Sequence, residues 1–238
     1  MPNIMEKSKV CLNFMKNKNI VDLSMLLEDG MITYPTSSHH KFESSIVGRI
    51  EVEGRETRKF TMGSHCGTHV DAMRHFEKEG LTIDQLPIDI MIGKAQVINL
   101  GKLEPGSIID VNQIKNSIKK GVERIILRTD WSRFWNSKQF YQAWPYLTKE
   151  ATELIINHGV KLVALDFPSP DSAYYGEECS LDCPNHKLLF SNNIILVEYL
   201  TNLESLTSDN VFLMVSPLKL GGFDGAPARV TAYDLPST

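Results

Sequence analysis

A chain of 238 residues that is 42% hydrophobic and 23% charged can bury one substantial core. Its formal charge of -4 and the absence of a clustered Lys/Arg run exclude a surface built to follow nucleic acid or anionic lipid, which leaves small-molecule chemistry as the expectation. The first twenty residues hold no uninterrupted apolar run of secretory length, no stretch approaches the ~20 apolar residues that span a bilayer, and Cys11, Cys66, Cys179 and Cys183 form no C-x-x-C pair, so a cytoplasmic protein without a disulfide framework is expected.

A strand is predicted at Ile20–Met25, followed by extended chain through GMITYP, Gly30–Pro35. Residues 43–52 and 55–63 alternate apolar and polar around Glu53 and Gly54, the pattern of a β-hairpin that delivers the chain to residue 64. AQVINL, Ala95–Leu100, is a further strand. Asp110 is placed to cap a helix through VNQIKNSIKK, whose Val111, Ile114 and Ile118 recur at three- and four-residue spacing, and Gly121 ends it. RIILRT (Arg124–Thr129) is a buried strand, Thr148–His158 a helix closed by Gly159, and KLVALDF (Lys161–Phe167) another strand. A short helix near Pro184–Phe190, the strands NIILVEYL and VFLMVS, a GGFDGAPAR turn and a last strand RVTAYD complete a compact, mixed-sheet α/β domain with no internal repeat and no linker.

The stretch SHCGTHVDAMRHF, residues 64–76, holds three of the chain's seven histidines, an aspartate and a glycine. In extended chain His65, Gly67, His69 and Asp71 would share one face. A straight strand still parts the His65 and His69 Cα atoms by ~13 Å, too far for both to hold one ion at roughly 2 Å. The chain must therefore bend, and Gly67, without a Cβ, permits it. Asp71 is then expected to cap a helical turn through Ala72–Phe76, which brings His75 to the same side. Imidazole and carboxylate are ligands that zinc, manganese and iron accept, and a catalytic site keeps about three protein ligands and an open position. Surface histidines at a turn are the plain alternative, but four metal-type side chains at this spacing favour metal binding.

The same stretch resembles the H-x-G-T-H-x-D-x-P-x-H signature of the metal-dependent cyclase-like hydrolases, the family of bacterial kynurenine formamidase (arylformamidase) and isatin hydrolase. His65, Gly67, Thr68, His69, Asp71 and His75 match position by position, while Met73 stands where the family has proline, which removes a φ constraint but no ligand. VDLSMLLEDGMITYP is similar to the family's opening strand and loop, where an aromatic residue lines the substrate pocket; Tyr34 is the matching residue. LDFPSPD, HKLLFSNNIILVEYLTNL and GGFDGAPARV resemble its central strand end, the segment with two further ligands, and its closing turn and strand. Residues 1–18 lie outside the resemblance and are expected to be an N-terminal extension to a hydrolase domain over 19–238. The resemblance implies an α/β fold, one domain with a mixed, barrel-like sheet flanked by short helices (swivelling β/β/α type), assembled as a homodimer or larger homo-oligomer.

NIILVEYL places Glu198 within an apolar run, on the strand face of Ile194 and Leu196. An unpaired buried charge costs on the order of several kcal/mol, so Glu198 needs a cation, a route to solvent or an arginine such as Arg229; the residues alone weigh these evenly. His186 alone would be a capping or surface histidine. The resemblance makes both of them ligands and implies two divalent ions per chain, Zn2+ or Mn2+, with His65 and His69 on one, His186 on the other, and Asp71 and Glu198 bridging through their two oxygens. His39 and His40, in a polar TSSHH loop, are expected to be exposed. His158 sits at a helix C terminus, where a cation suits the dipole. Cys66 occupies a variable slot of the signature and faces away from the ligands. Asp166 and Asp171 are expected to support the site without binding metal, and Asp224 and Arg229 either to pair across the closing turn, the favoured reading, or to meet the substrate.

A metal-held hydroxide beside a free imidazole is equipment for hydrolysis, with His75 as general acid/base near the imidazole's ordinary pKa of about 6.5. The expected activity is amidohydrolysis of a small aromatic amide such as N-formylkynurenine. The alternatives are opening of an isatin-type cyclic amide and, from a different class, a non-catalytic metal- or ligand-binding domain of the same fold.

Overall fold

The computed structural model describes residues 20–173 and 183–236, so residues 1–18, Cys11 and Cys179 lie outside the described residues. The strands are β1 (Val21–Asp22), β2 (Glu43–Gly48), β3 (Thr57–Thr61), β4 (His69–Asp71), β5 (Ile92–Asn99), β6 (Ile108–Ile109), β7 (Arg124–Arg128), β8 (Tyr146–Leu147), β9 (Leu162–Leu165), β10 (Ile195–Glu198), β11 (Asn210–Pro217) and β12 (Gly225–Asp234). Between them run short helices α1 (Ile50–Glu53), α2 (Ile88–Met91), α3 (Val111–Ile114), α4 (Lys149–Asn157) and α5 (Pro184–Ser191).

Strands β12, β11, β5, β7, β9, β10 and β4 follow one another around a closed mixed barrel, because β4 also pairs with β12; β1 joins the outer edge of β12. Within the barrel the pairs β5–β7, β7–β9 and β9–β10 are parallel and the others antiparallel. The parallel strands carry runs such as Ile125–Leu127 and Leu162–Leu165 that are buried on both faces, the pattern expected where helices cover a parallel sheet. Helix α4, capped by the Thr148 hydroxyl accepting from Ala151 N, turns Ala151, Thr152 and Ile155 inward, and α5 buries Leu189 and Phe190. The expected single α/β domain with a mixed, barrel-like sheet and short flanking helices is therefore the observed one.

Register places the chemistry. Strand β4 lies between β10 and β12, with His69 opposite Glu198 on one side and Asp71 opposite Gly225 on the other. A three-residue strand is thus held on both edges by strands from the far end of the chain.

Several boundaries differ from the sequence reading. The hairpin forms, but residues 50–53 are the helical turn α1, closed by Gly54 in the left-handed region, and not strand. The helix after Asp110 stops at Ile114 although its capping box forms as expected. The Gln96 side chain takes over its next backbone groups, donating to Ser117 O (2.5 Å) and accepting from Lys119 N (3.0 Å). The last strand starts at Gly225, so GAPAR belongs to β12 and not to the turn. Residues 30–35 carry no strand.

Candidate active site

The bend anticipated at Gly67 is present: its φ is +61°, and a Cβ there would collide with Leu27 Cδ2. Thr68 then fastens the turn, its hydroxyl donating to Tyr199 O (2.5 Å) and accepting from Met25 N (2.8 Å). The chain runs extended through β4 and tightens into a 3-10 turn over Met73–His75. Asp71 does not cap that turn, contrary to expectation. Its carboxylate is buried, with Oδ1 2.7 Å from His65 Nδ1 and 3.1 Å from His69 Nε2, and Oδ2 3.5 Å from His186 Nε2.

Glu198, at the end of β10, answers Asp71 from the neighbouring strand. Oε2 lies 3.4 Å from His69 Nε2 and Oε1 3.3 Å from His186 Nε2, so each carboxylate sets one oxygen toward His69 and the other toward His186. Five of the candidates from the sequence, His65, His69, Asp71, Glu198 and His186 from α5, therefore converge in one cluster. His75 adjoins it, with its ring centre 4.0 Å from that of His65.

The outward nitrogen of each candidate ligand imidazole is tied to an acceptor. His69 Nδ1 lies 2.8 Å from Gly67 O, His186 Nδ1 2.7 Å from Asp171 Oδ2, and His65 Nε2 2.8 Å from Asp224 Oδ2. Such outer partners fix ring orientation and leave the inner nitrogen as a lone-pair donor, the usual surroundings of metal-bound histidine. Glu198 Oε1 is buried without a hydrogen bond despite its nearness to His186, and a buried carboxylate oxygen demands a cationic or donor partner. Nitrogen and carboxylate donors from His65, His69 and Asp71, and from Asp71, His186 and Glu198, gather within 4.8 Å in each triplet. This set fits one or two divalent ions of the zinc or manganese class.

The electrostatics agree. Burial alone would depress the His69 ring, but Asp71 and Glu198 hold it up at about 10; burial is likewise the largest single influence at His65 and His186, yet Asp71 and Asp224 together raise the first, and Asp171, Asp71 and Glu198 together raise the second. Burial would raise Asp71, yet His65 and His69 hold it well below the usual carboxylate range. The cluster thus demands positive charge, which protons on imidazole or a bound cation can supply. Burial, only partly offset by a hydrogen bond to Asp224, holds His75 below its ordinary value, so this ring is neutral at pH 7.

The cluster floors a cleft of about 380 Å³ walled by Tyr34, Phe76, Trp144 and Tyr199, with His39, Ser169 and Cys183 on its rim. Tyr34 is one of the residues that line this cleft. Three other expectations are corrected. His39 is not exposed: it lines the cleft, its ring 5.0 Å from that of Tyr34, while His40 is exposed. Asp224 does not pair with Arg229; it bonds His65 and approaches His75 Nδ1 at 3.3 Å, and Arg229 binds Asp22 instead. Asp166 lies away from the cluster, bonded to Thr129, whereas Asp171 supports it through His186 as expected. Cys66 is buried outside the cleft, its thiol pushed up to about 11 by burial. His158 bonds Leu154 O at the end of α4. Asp224 and His39 were missed because no local spacing links them to residues 65–75.

The Cyclase family model, described as "Putative cyclase", matches residues 21–172. A kynurenine formamidase of Bacillus cereus is 29% identical over 215 residues, 90% of this chain and 97% of its own. An isatin hydrolase bound to the product analogue thioisatinate superposes with a TM-score of 0.85 at 22% identity over the full length of both chains. Isatin hydrolase A from Labrenzia aggregata gives 0.82 at 23% identity, covering 96% of this chain and 98% of its own.

Proposed function

The chain belongs to the Cyclase family, and from that premise we propose that it is a metal-dependent amidohydrolase acting on a small aromatic amide of the N-formylkynurenine type. One observation carries the reading: Asp71 and Glu198 each divide their oxygens between His69 and His186, the disposition that lets two carboxylates serve a pair of cations. His65 and His69 with one oxygen of each carboxylate would hold the first ion, and His186 with the other two oxygens the second. Bound there, the ions would lower the pKa of a water molecule and polarise the amide carbonyl.

The protein's own residues supply the rest. The neutral His75 ring, with Nδ1 beside Asp224, keeps Nε2 for proton transfer, taking a proton from the attacking water and returning it to the departing nitrogen. Asp224 fixes that tautomer and steadies the imidazolium once it forms. Tyr34, Phe76, Trp144 and Tyr199 enclose an aromatic substituent and displace water from around the reacting bond. The nearness of kynurenine formamidases over nine-tenths of the chain favours an acyclic aryl formamide.

The test is to strip the purified protein of metal, reload it separately with zinc and manganese, and follow kynurenine release from N-formylkynurenine by absorbance. Metal-dependent turnover is expected. No turnover with both ions verified as bound would reject the formamidase reading and direct the same assay to isatin-type cyclic amides.

A further inference from the structure

We propose that His39 is the recognition residue of the cleft: its Nε2–H donates to a carbonyl carried by the substrate ring next to the scissile amide nitrogen. The inference rests on the amidohydrolase reading above and assigns to His39 the acyl group that a substrate of the N-formylkynurenine type carries ortho to its amide nitrogen.

Most polar groups facing the cleft are already committed. Both nitrogens of His65 bond aspartates, His69 and His186 are engaged on both sides, and Trp144 Nε1 donates to Asp171 O (2.7 Å). Two ring nitrogens of the cleft lack a hydrogen bond among the described residues, His75 Nε2 and His39 Nε2. The first is taken by proton transfer.

His39 is also held in place. Its Nδ1 lies 2.6 Å from Thr36 Oγ1, which in turn lies 3.2 Å from Ser38 Oγ. We assign the hydroxyl hydrogens so that Ser38 donates to Thr36 and Thr36 to His39, which makes Nδ1 an acceptor and leaves the ring hydrogen on Nε2, a donor that matches a carbonyl oxygen. The ring is uncharged, since burial above all, with the neighbouring His65 and His69 imidazoles, pulls it down to about 4. It therefore selects by hydrogen bonding and does not attract anions.

Position then selects the substituent. The His39 ring packs on Tyr34 (5.0 Å between centres) and stands 6.2 Å from the His65 ring. Tyr34 and Trp144, 5.9 Å apart, offer faces for the substrate's aromatic ring, while the amide carbonyl must sit at the histidine–carboxylate cluster. His39 adjoins Tyr34 on one side and His65 on the other, and so stands beside the path from the aromatic wall to the cluster that a group adjacent to the amide nitrogen would follow.

The test compares wild type, His39→Phe, which keeps the ring against Tyr34, and His39→Gln, which keeps a donor. Zinc-loaded proteins are assayed with 2-formamidoacetophenone and formanilide, and binding of 2-aminoacetophenone and aniline is measured by titration calorimetry. Wild type should favour the acyl-bearing member of each pair by roughly 10-fold or more, the worth of one good hydrogen bond in an enclosed site. His39→Phe should erase the preference in both measurements and His39→Gln should restore part of it. An unchanged preference in His39→Phe, or no preference in wild type, overturns the proposal. If wild type cleaves neither formamide yet shows the binding preference and its loss in His39→Phe, the amidohydrolase reading fails while His39 stands as the recognition residue.

Discussion

Replacing Gly225 by alanine tests how the barrel seam and the site depend on each other. A Cβ at this position would lie 2.8 Å from Val70 O and 2.9 Å from His65 Cε1. Val70 cannot withdraw, because β4 is paired on one edge with Val197 and on the other with Ala226. The His65 ring cannot turn freely either, since Asp71 holds one nitrogen at 2.7 Å and Asp224 the other at 2.8 Å. The added methyl must pry β12 from β4 or displace His65. Overpacking of this kind costs about 1–3 kcal/mol, and at this chain length each kcal/mol moves Tm by roughly 2–4 °C, so a loss of about 2–12 °C is expected. Scanning calorimetry of metal-free protein reads this, and competition with a chromogenic chelator reads the accompanying drop in zinc affinity. Gly221→Ala is the control: it meets nothing within 4 Å and should shift Tm by less than about 2 °C. A Gly225→Ala protein with the control's Tm and wild-type zinc affinity would refute the reasoning.

Three further outcomes are expected. Asp71→Ala should lose both metal retention and turnover, whereas His75→Ala should keep its metal and lose on the order of 10²–10⁴ in kcat; a metal-loaded His75→Ala with full activity would remove His75 from proton transfer. Asp171→Asn frees the His186 ring from its 2.7 Å partner and should weaken zinc binding about 10- to 100-fold, so an unchanged affinity would show that His186 is oriented otherwise. Burial raises the Asp166 carboxyl to about 7 against an ordinary 3.8. The native state therefore holds this proton while the unfolded chain has lost it, and stability falls as pH rises between those values, by at most about 1.4 kcal/mol per unit, and is flat above. In chelator, Asp166→Asn should lack that component of the slope, and parallel wild-type and variant stability curves from pH 4 to 7 would count against it.

What was legible in the sequence was whatever a short stretch states by itself. His65, Gly67, His69 and Asp71 announce a bent extended segment because one ion cannot be reached from a straight one, and Glu198 stands out as a charge in an apolar run. The misreadings share a cause, which is competition from residues distant in the chain. Asp71 would cap the turn after it if three imidazoles, one of them 115 residues away at His186, did not claim its oxygens. Helix α3 would run on toward Gly121 if Gln96 did not bind Ser117 and Lys119. Asp224 is 159 positions from His65, and His39 enters the cleft on a loop whose path no periodicity describes.

The placement of β4 has a consequence for how the molecule is made. Synthesis proceeds from the N terminus, so the HVD segment emerges well before both strands that flank it, β10 and β12. Until then the ring of strands is an open ribbon and the half-formed cluster has one carboxylate. Closing the ribbon and completing the donor set both wait for these strands, so an ion held by that set would be a clasp fastened only once β12 has been released.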